Sequence, residues 1–414
     1  MFRVRRQLQR ALAPRRWYSE TNKVNDRVVV MSNDTTSHQT PVLLGLMNAL
    51  SVKYHSVGYF RPIAPAPGTD HHVELLKSEF KLSDSANDLV GMYSADVVQA
   101  RLTGDVDAIT DTILAKFEAL RAKHDFVVVE GATFESAPEL AWDINVEIAK
   151  TLGSPVLLTN DFRDVESEGD ALLESIATRV LLGKDAIEAT GLPYIGSIAN
   201  RVRSSTPLET RGRVQAILKS KGTADPTIFL GALPLDNILG SKRLNEVVAQ
   251  LRATQLYGPT SPNSVVVTDG LIGTSDLKEL FGHLKQHDEG LLVITSADRT
   301  DVVLGLLASR ASGALPNVAG IVLTNGAFPQ DHVKDILDGM AKLDKTTIPI
   351  YTVDEDAFKT ANSLSRVTCD ILPTSQTKIQ QSYILFDKFV SRSALMDCVC
   401  QAVKSTKRTP KQFK

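Results

Sequence analysis

From Arg27 to about Leu235 the chain alternates short, continuously apolar runs with longer segments whose apolar residues recur near every 3.6 positions. The runs are RVVVMS, SVGYF, DFVVVEG, SPVLLTN, YIGSIAN and TIFLGALP. Between them lie PVLLGLMNALSV, ITDTILAKFEALRAK, AWDINVEIAKTLG, EGDALLESIATRVLLG and PLETRGRVQAILKSK. A strand that is apolar at successive positions must be buried on both faces, which needs a parallel sheet with helices above and below it. The alternation therefore predicts a doubly wound, mostly parallel α/β domain, with any ligand crevice at the carboxyl ends of its strands.

The second half repeats this on a smaller scale. SVVVTD (264–269), LLVITSAD (291–298), AGIVLTNG (319–326) and IPIYTVD (348–354) read as strands, and SDLKELFGHLKQ, DVVLGLLASRAS, DHVKDILDGMAK and DEDAFKTANSLSRV as the helices between them. The connecting LDNILGSKRLNEVVAQLRATQLYGPTSPN reads as a helix followed by a Gly/Pro/Ser-rich link, which puts a boundary near Gly240. A length of 414 residues suits two such domains better than one. The expected organisation is a presequence over 1–18, a larger domain over 27–240, a smaller one over 241–364 and a C-terminal extension over 365–414.

The first 18 residues, MFRVRRQLQRALAPRRWY, carry six arginines and no acid, the pattern of a mitochondrial presequence, with a cleavage site expected after Tyr18. Their loss would take the formal charge from −2 to −8 and leave a protein of the mitochondrial matrix. A basic arm for nucleic acid is the rival account, but no other basic, aromatic-interleaved patch accompanies it, so no nucleic-acid partner is expected. The terminal KSTKRTPKQFK reads as a solvated tail. No run approaches the ~18–20 apolar residues of a membrane span. Cys369, Cys398 and Cys400 lack the second pair of ligands a zinc site would need and read as free thiols. No Ser/His/Asp order of a hydrolase and no nucleophile elbow stands out.

The stretch VVVMSNDTTSHQTPVLLGLMNAL (28–50) has the strand, polar loop and helix layout of a phosphate-binding P-loop. Such a loop needs glycines for close backbone approach to phosphate, a lysine for the terminal phosphate oxygens and a Ser or Thr for magnesium. Here Ser32 and His38 stand at glycine positions and the uncharged Gln39 at the lysine position; Thr40 keeps its role and is also a suitable N-cap. Transfer of a phosphoryl group would lack its main cation.

The order of motifs resembles the dethiobiotin synthetase family. SNDTTSHQT (32–40) is similar to its GTDTxxGKT loop, GYFRPIAP (58–65) to its xxxKPVxx, VVVEGA (127–132) to its VxVEGAGG, SIANRV (197–202) to the NK/NR element beside adenine and LGALP (230–234) to LGxIP. The resemblance is closer still to the amino-terminal half of long phosphotransacetylases, where a dethiobiotin-synthetase-like domain leads into a DRTGG domain. That domain's DRxD hallmark stands at Asp298–Asp301 in LLVITSADRTDVVLGLL. The resemblance implies nucleotide contacts from Asp34, Thr35, Gln39, Thr40, Arg61 and Asn200, a magnesium set of Asp34, Thr40, Asp70 and Glu130, and a regulatory or interface site at Asp298, Arg299 and Asp301. It departs at the loop, and at Arg61, where the family has lysine. The acetyl-transfer domain of those enzymes would not fit in residues 365–414, so acetyl transfer by this polypeptide alone is not expected.

Each of these positions has a purely structural account as well. Asp34 suits a turn, Asp70 a cap before HHVELLKSEF, and Glu130 a strand end. Ser296 or Asp298 suits the N-cap of a helix starting near Arg299, and Asp301 its first turn. Thr295, Ser296 and Thr324-Asn325-Gly326 end neighbouring strands and could converge with Asp298 and Arg299 on an anion. His71-His72 has no ligand-spaced partner. Three functions fit this set: a mitochondrial, non-catalytic regulatory or assembly protein; a weak Mg-nucleotide-binding ligase of the dethiobiotin synthetase type; and a non-catalytic part of a phosphate acetyltransferase. The expected partners are a nucleotide or small anionic effector, and a protein partner or a second copy.

Overall fold

The computed structural model describes residues 26–32, 38–66, 71–133, 139–259, 265–287, 289–313, 316–326, 331–342, 348–367 and 369–401. They form two compact units, one built from the described residues up to Asp236 together with those from Ile371 onward, the other from Asn237–Asp370.

The first unit is wound on β1 (Arg27–Ser32), β2 (Val57–Ala64), β3 (Val90–Tyr93), β4 (Phe126–Glu130), β5 (Val156–Asp161), β6 (Tyr194–Val202) and β7 (Phe229–Pro234), in the order β3-β2-β4-β1-β5-β6-β7. All six pairings are parallel. Its helices are α1 (Thr40–Ser51), α2 (His71–Glu79), α3 (Ser94–Thr103), α4 (Val106–Arg121), α5 (Glu139–Leu152), α6 (Gly169–Ala189) and α7 (Pro207–Ser220). Continuous apolarity has the meaning inferred for it: Val28, Val29, Val30 and Met31, like Val127, Val128 and Val129, have no exposed surface. Burying each such side chain favours the fold by roughly 1.5–3 kcal/mol over leaving it in water. β3 arises where no apolar run marked a strand, as a four-residue segment at the sheet edge.

At the opposite, amino-terminal edge of this sheet a Ser/His/Asp chain does exist. Ser56 Oγ lies 2.7 Å from His124 Nδ1, and His124 Nε2 lies 2.8 Å from Asp84 Oδ2. Burial alone would raise the Asp84 carboxyl, but bonds from Lys123 and His124 outweigh it and hold the group below its usual range. The cluster joins the starts of β2 and β4, away from the edge where parallel sheets place ligands. Gly58 is required there, since a Cβ would stand 2.7 Å from the His124 ring.

The second unit contains β8 (Lys242–Arg243), α8 (Leu244–Gln250), β9 (Thr254–Tyr257), β10 (Val266–Val267), β11 (Asp269–Ile272), α9 (Leu277–Gln286), β12 (Leu291–Ser296), α10 (Thr300–Ser312), β13 (Gly320–Thr324), α11 (Asp331–Lys342), β14 (Ile350–Thr352) and α12 (Ala357–Ser365). The sheet order is β11-β12-β13-β14-β9, parallel except for β9, with β8 and β10 forming a separate antiparallel ribbon. The single run expected as a strand over 264–269 thus divides between β10 and β11, and β9 occupies part of what read as a link.

α13 (Gln376–Phe389) and α14 (Arg392–Gln401) return to the first unit. Tyr383 donates to Glu79 Oε1 at 2.8 Å, Gln381 to Asp236 at 2.7 Å, and the Ser391 amide to the Leu230 carbonyl at 2.9 Å, so the larger domain is closed by the end of the chain.

Candidate functional site

The site lies at the carboxyl ends of the central strands of the first unit. β1 ends at Ser32, and α1 follows the polar loop. Gln39 is the N-cap of α1, with φ −77° and ψ −15° and no side-chain cap bond, so Thr40 is the first helical residue and not the cap the sequence suggested. The helix starts one residue early because the Gln39 carbonyl already accepts from the Leu43 amide at 2.9 Å. Asp34, Thr35 and Asp70 lie outside the described residues.

Beside the start of α1 sits a buried charge cluster. Glu130, at the end of β4, is 1% exposed. Tyr59 and Arg61 from β2 both donate to its Oε2, Arg61 at 3.3 Å, and His72 from α2 lies 2.8 Å from Oε1. The far nitrogen of His72 is 3.4 Å from the Thr40 hydroxyl, so the first residue of α1 connects through the imidazole to the carboxylate. Burial by itself would raise the Glu130 carboxyl, but the charges of Arg61 and His72 and the bonds from His72 and Tyr59 prevail and hold it at about 2. Glu130 is therefore an ionised partner of Arg61 at any ordinary pH. A divalent ion brought to this carboxylate would meet a guanidinium already 3.3 Å away, so the arrangement does not fit a metal there. Among the described residues no three His, Cys, Asp or Glu side chains group as metal ligands.

On the other side of β1, Asn200 at the end of β6 donates to the His38 carbonyl at 2.7 Å and accepts from the Arg201 amide at 3.0 Å. Arg201 has φ +55°, a left-handed conformation that costs a non-glycine residue roughly a kilocalorie per mole or more. Its guanidinium is held by Asp161 through Nε at 2.9 Å and through Nη2. The Asn-Arg pair thus ties His38, just before α1, to the sheet. Gln39, Asn160, Asp161 and Asn200 line a small cleft of about 10 Å³, room for about one water molecule.

In the second unit Arg299, not Asp298 or Ser296, is the N-cap of α10, and it makes no cap bond. Its guanidinium instead donates to the carbonyls of Gly273 (3.3 Å), Thr274 (3.0 Å) and Ser275 (2.8 Å), and pairs with Asp301 at 2.9 and 2.8 Å. Asp301 is lowered chiefly by that hydrogen bond. The Thr295 hydroxyl donates to the Gly273 carbonyl at 3.0 Å and that of Thr324 to the Thr295 carbonyl at 3.4 Å. Of the polar groups expected to converge on an anion, Thr295, Thr324 and Arg299 are bonded to backbone carbonyls, and Arg299 fastens the loop before α9.

A family model described as an AAA domain matches residues 26–243, more than half of the chain. The chain belongs to the AAA domain family. A DRTGG domain model matches residues 246–367, directly after the AAA domain. The phosphate acetyltransferase of Nitratidesulfovibrio vulgaris is 29% identical over 396 residues, covering 94% of this chain and 54% of that protein. That of Synechocystis sp. is 28% identical over 388 residues, covering 92% and 53%. The chain spans about half the length of the curated relatives it matches, and its AAA and DRTGG pair matches their amino-terminal half. Among solved structures, the CBS and DRTGG domains of the regulatory region of Clostridium perfringens pyrophosphatase, complexed with the activator diadenosine tetraphosphate, share 16% identity over 34% of this chain and 50% of that one, at a TM-score of 0.22. A Pyrococcus abyssi GTPase in apo form shares 16% over 43% and 68%, at 0.28. The AAA domain brings Gln39, Thr40, Arg61, Glu130 and Asn200 to one edge of one sheet; the role of His72 was missed because it has no spacing signal and meets Glu130 only through the fold.

Proposed function

We propose that this protein is a non-catalytic regulatory or assembly subunit, related to the sensory half of phosphate acetyltransferase and acting in the mitochondrial matrix. The observation that carries the proposal is the state of the P-loop-like edge. The position expected to bear lysine holds an uncharged amide, and the arginines at this edge, Arg61 and Arg201, are bound to the carboxylates of Glu130 and Asp161. A lost charge-assisted phosphate contact costs roughly 1.5–3 kcal/mol, about ten-fold or more in affinity, and the same charge would be missing at the transition state of phosphoryl transfer. The tie between Asn200 and His38 anchors the start of α1 to the sheet, as suits a part that transmits binding to a partner or a second copy. The Arg-rich start, outside the described residues, supports the matrix location.

The test is turnover. The purified full chain, given acetyl-CoA and phosphate or Mg-ATP, should form acetyl phosphate and hydrolyse ATP no faster than a protein-free blank. Robust turnover of either would overturn the proposal, ATP hydrolysis in favour of the ligase alternative.

A further inference from the structure

Most polar groups around the cleft in the AAA domain are already in use. The Thr159 hydroxyl donates to the Met31 carbonyl at 3.2 Å, Asn200 spans His38 and Arg201, and Asp161 is held by Arg201. What remains is the amide of Gln39 and the side-chain oxygen of Asn160. These residues are 2% and 1% exposed, and Gln39 Nε2, Gln39 Oε1 and Asn160 Oδ1 have no hydrogen-bond partner among the described residues. Leaving a buried polar atom unsatisfied is costly, and native proteins keep such atoms where water or a ligand completes them.

The three atoms are one donor-bearing nitrogen and two acceptor oxygens. A fully ionised phosphate only accepts; it could satisfy Gln39 Nε2 but would set its own lone pairs against the two carbonyl oxygens and the nearby Asp161 carboxylate. The positive end of α1 gives it reduced help, because Pro41 in the first turn has no N–H to offer. A group that carries an amino donor beside an acceptor satisfies all three: its two N–H bonds reach Gln39 Oε1 and Asn160 Oδ1 while its acceptor takes Gln39 Nε2. Glutamine makes this two-bond pairing with the N6/N7 edge of adenine.

We propose that this cleft, read as the sensing site of the non-catalytic protein described above, takes an uncharged planar group with an amino donor next to an acceptor. A primary carboxamide and an aminopurine edge share this chemistry. The cleft has room for about one water and the three atoms are buried, so the edge enters as the Gln39 side chain turns toward it.

Isothermal titration of the full chain with adenosine, nicotinamide, inosine, nicotinic acid and pyrophosphate tests this. Adenosine or nicotinamide should bind, which of them identifying the source, and the partner lacking the amino group, inosine or nicotinic acid, should bind at least ten-fold more weakly. Gln39→Ala, Asn160→Ala and the isosteric Gln39→Glu should each weaken the binding roughly ten-fold without lowering the unfolding midpoint. Tighter binding of pyrophosphate, no binding of either amino compound at millimolar concentration, or affinity that survives all three substitutions would overturn the proposal. Such a failure leaves the turnover result intact, since that experiment reads catalysis and this one reads ligand chemistry.

Discussion

Arg61→Ala should destabilise the AAA domain by about 3–5 kcal/mol at neutral pH, because it leaves the carboxylate of Glu130 buried without its main counter-charge. The pH dependence distinguishes this from simple loss of packing. In the intact protein the Glu130 carboxyl sits at about 2, below its ordinary 4.5, so its contribution to stability is fully present above pH 4.5 and is lost as pH falls through about 2. In the variant the balance tips toward burial, which raises the carboxyl, and the folded state then takes up a proton as pH falls. The deficit between variant and parent should accordingly be largest near pH 7 and shrink toward pH 4.5. Urea unfolding at the two values measures it. Adding Glu130→Gln to Arg61→Ala should restore part of the loss, since no buried charge then remains unpaired. A deficit below 1 kcal/mol, or one unaffected by pH, would show that Glu130 does not need Arg61 and would remove the ion pair from the account of the loop.

Arg61 and Glu130 also show where the sequence stopped being legible. Both were singled out, but for a nucleotide and a metal, on the strength of motifs, whereas the fold places them on the adjacent parallel strands β2 and β4 and joins them to each other. His72 arrives from α2 and cannot be connected to Glu130 by any spacing along the chain. Gln39 was legible as a missing cation because charge is a property of the residue type. That its amide has no partner among the described residues depends on which neighbours Asn200, Arg201 and Asp161 have already taken. The central strands were legible from continuous apolarity, a local consequence of burial on both faces. β3 and β9 were not, being four-residue edge strands with little apolar repetition. α13 escaped for a different reason. Its buried side includes Lys378 and Ser382, with the Ser382 hydroxyl donating to the Lys378 carbonyl at 2.8 Å, so polar residues interrupt the repeat that would have marked a helix packed into a core.

That helix supports the strand-loop-helix unit from behind, and Phe386 should be its most costly residue to shorten. The Phe386 ring is completely buried and lies so close to α1 that a Cβ on Gly45 would fall 2.1 Å from its Cγ. Phe386→Ala should cost about 3–5 kcal/mol, the usual range for emptying a buried aromatic site. Gly45 sharpens the test through coupling to the ring. In an unobstructed helix interior, glycine to alanine gains about 1 kcal/mol from helix propensity. With Phe386 in place the added methyl must displace a ring held in the core, so Gly45→Ala should destabilise the intact protein. In the Phe386→Ala background the two ring carbons are gone but the retained Cβ still stands 2.4 Å from the added methyl, so the same substitution should cost less than in the parent without becoming free. The four proteins of this cycle, unfolded in urea, give the coupling directly. If Gly45→Ala were stabilising in both backgrounds, α13 would not be seated on α1, and the C-terminal segment would be an appendage of the AAA domain instead of a part of its core. With that coupling, the helix that carries Gln39 and Thr40 is held on one side by the sheet and on the other by the last part of the chain, so removing that part would loosen the cleft as well as the fold.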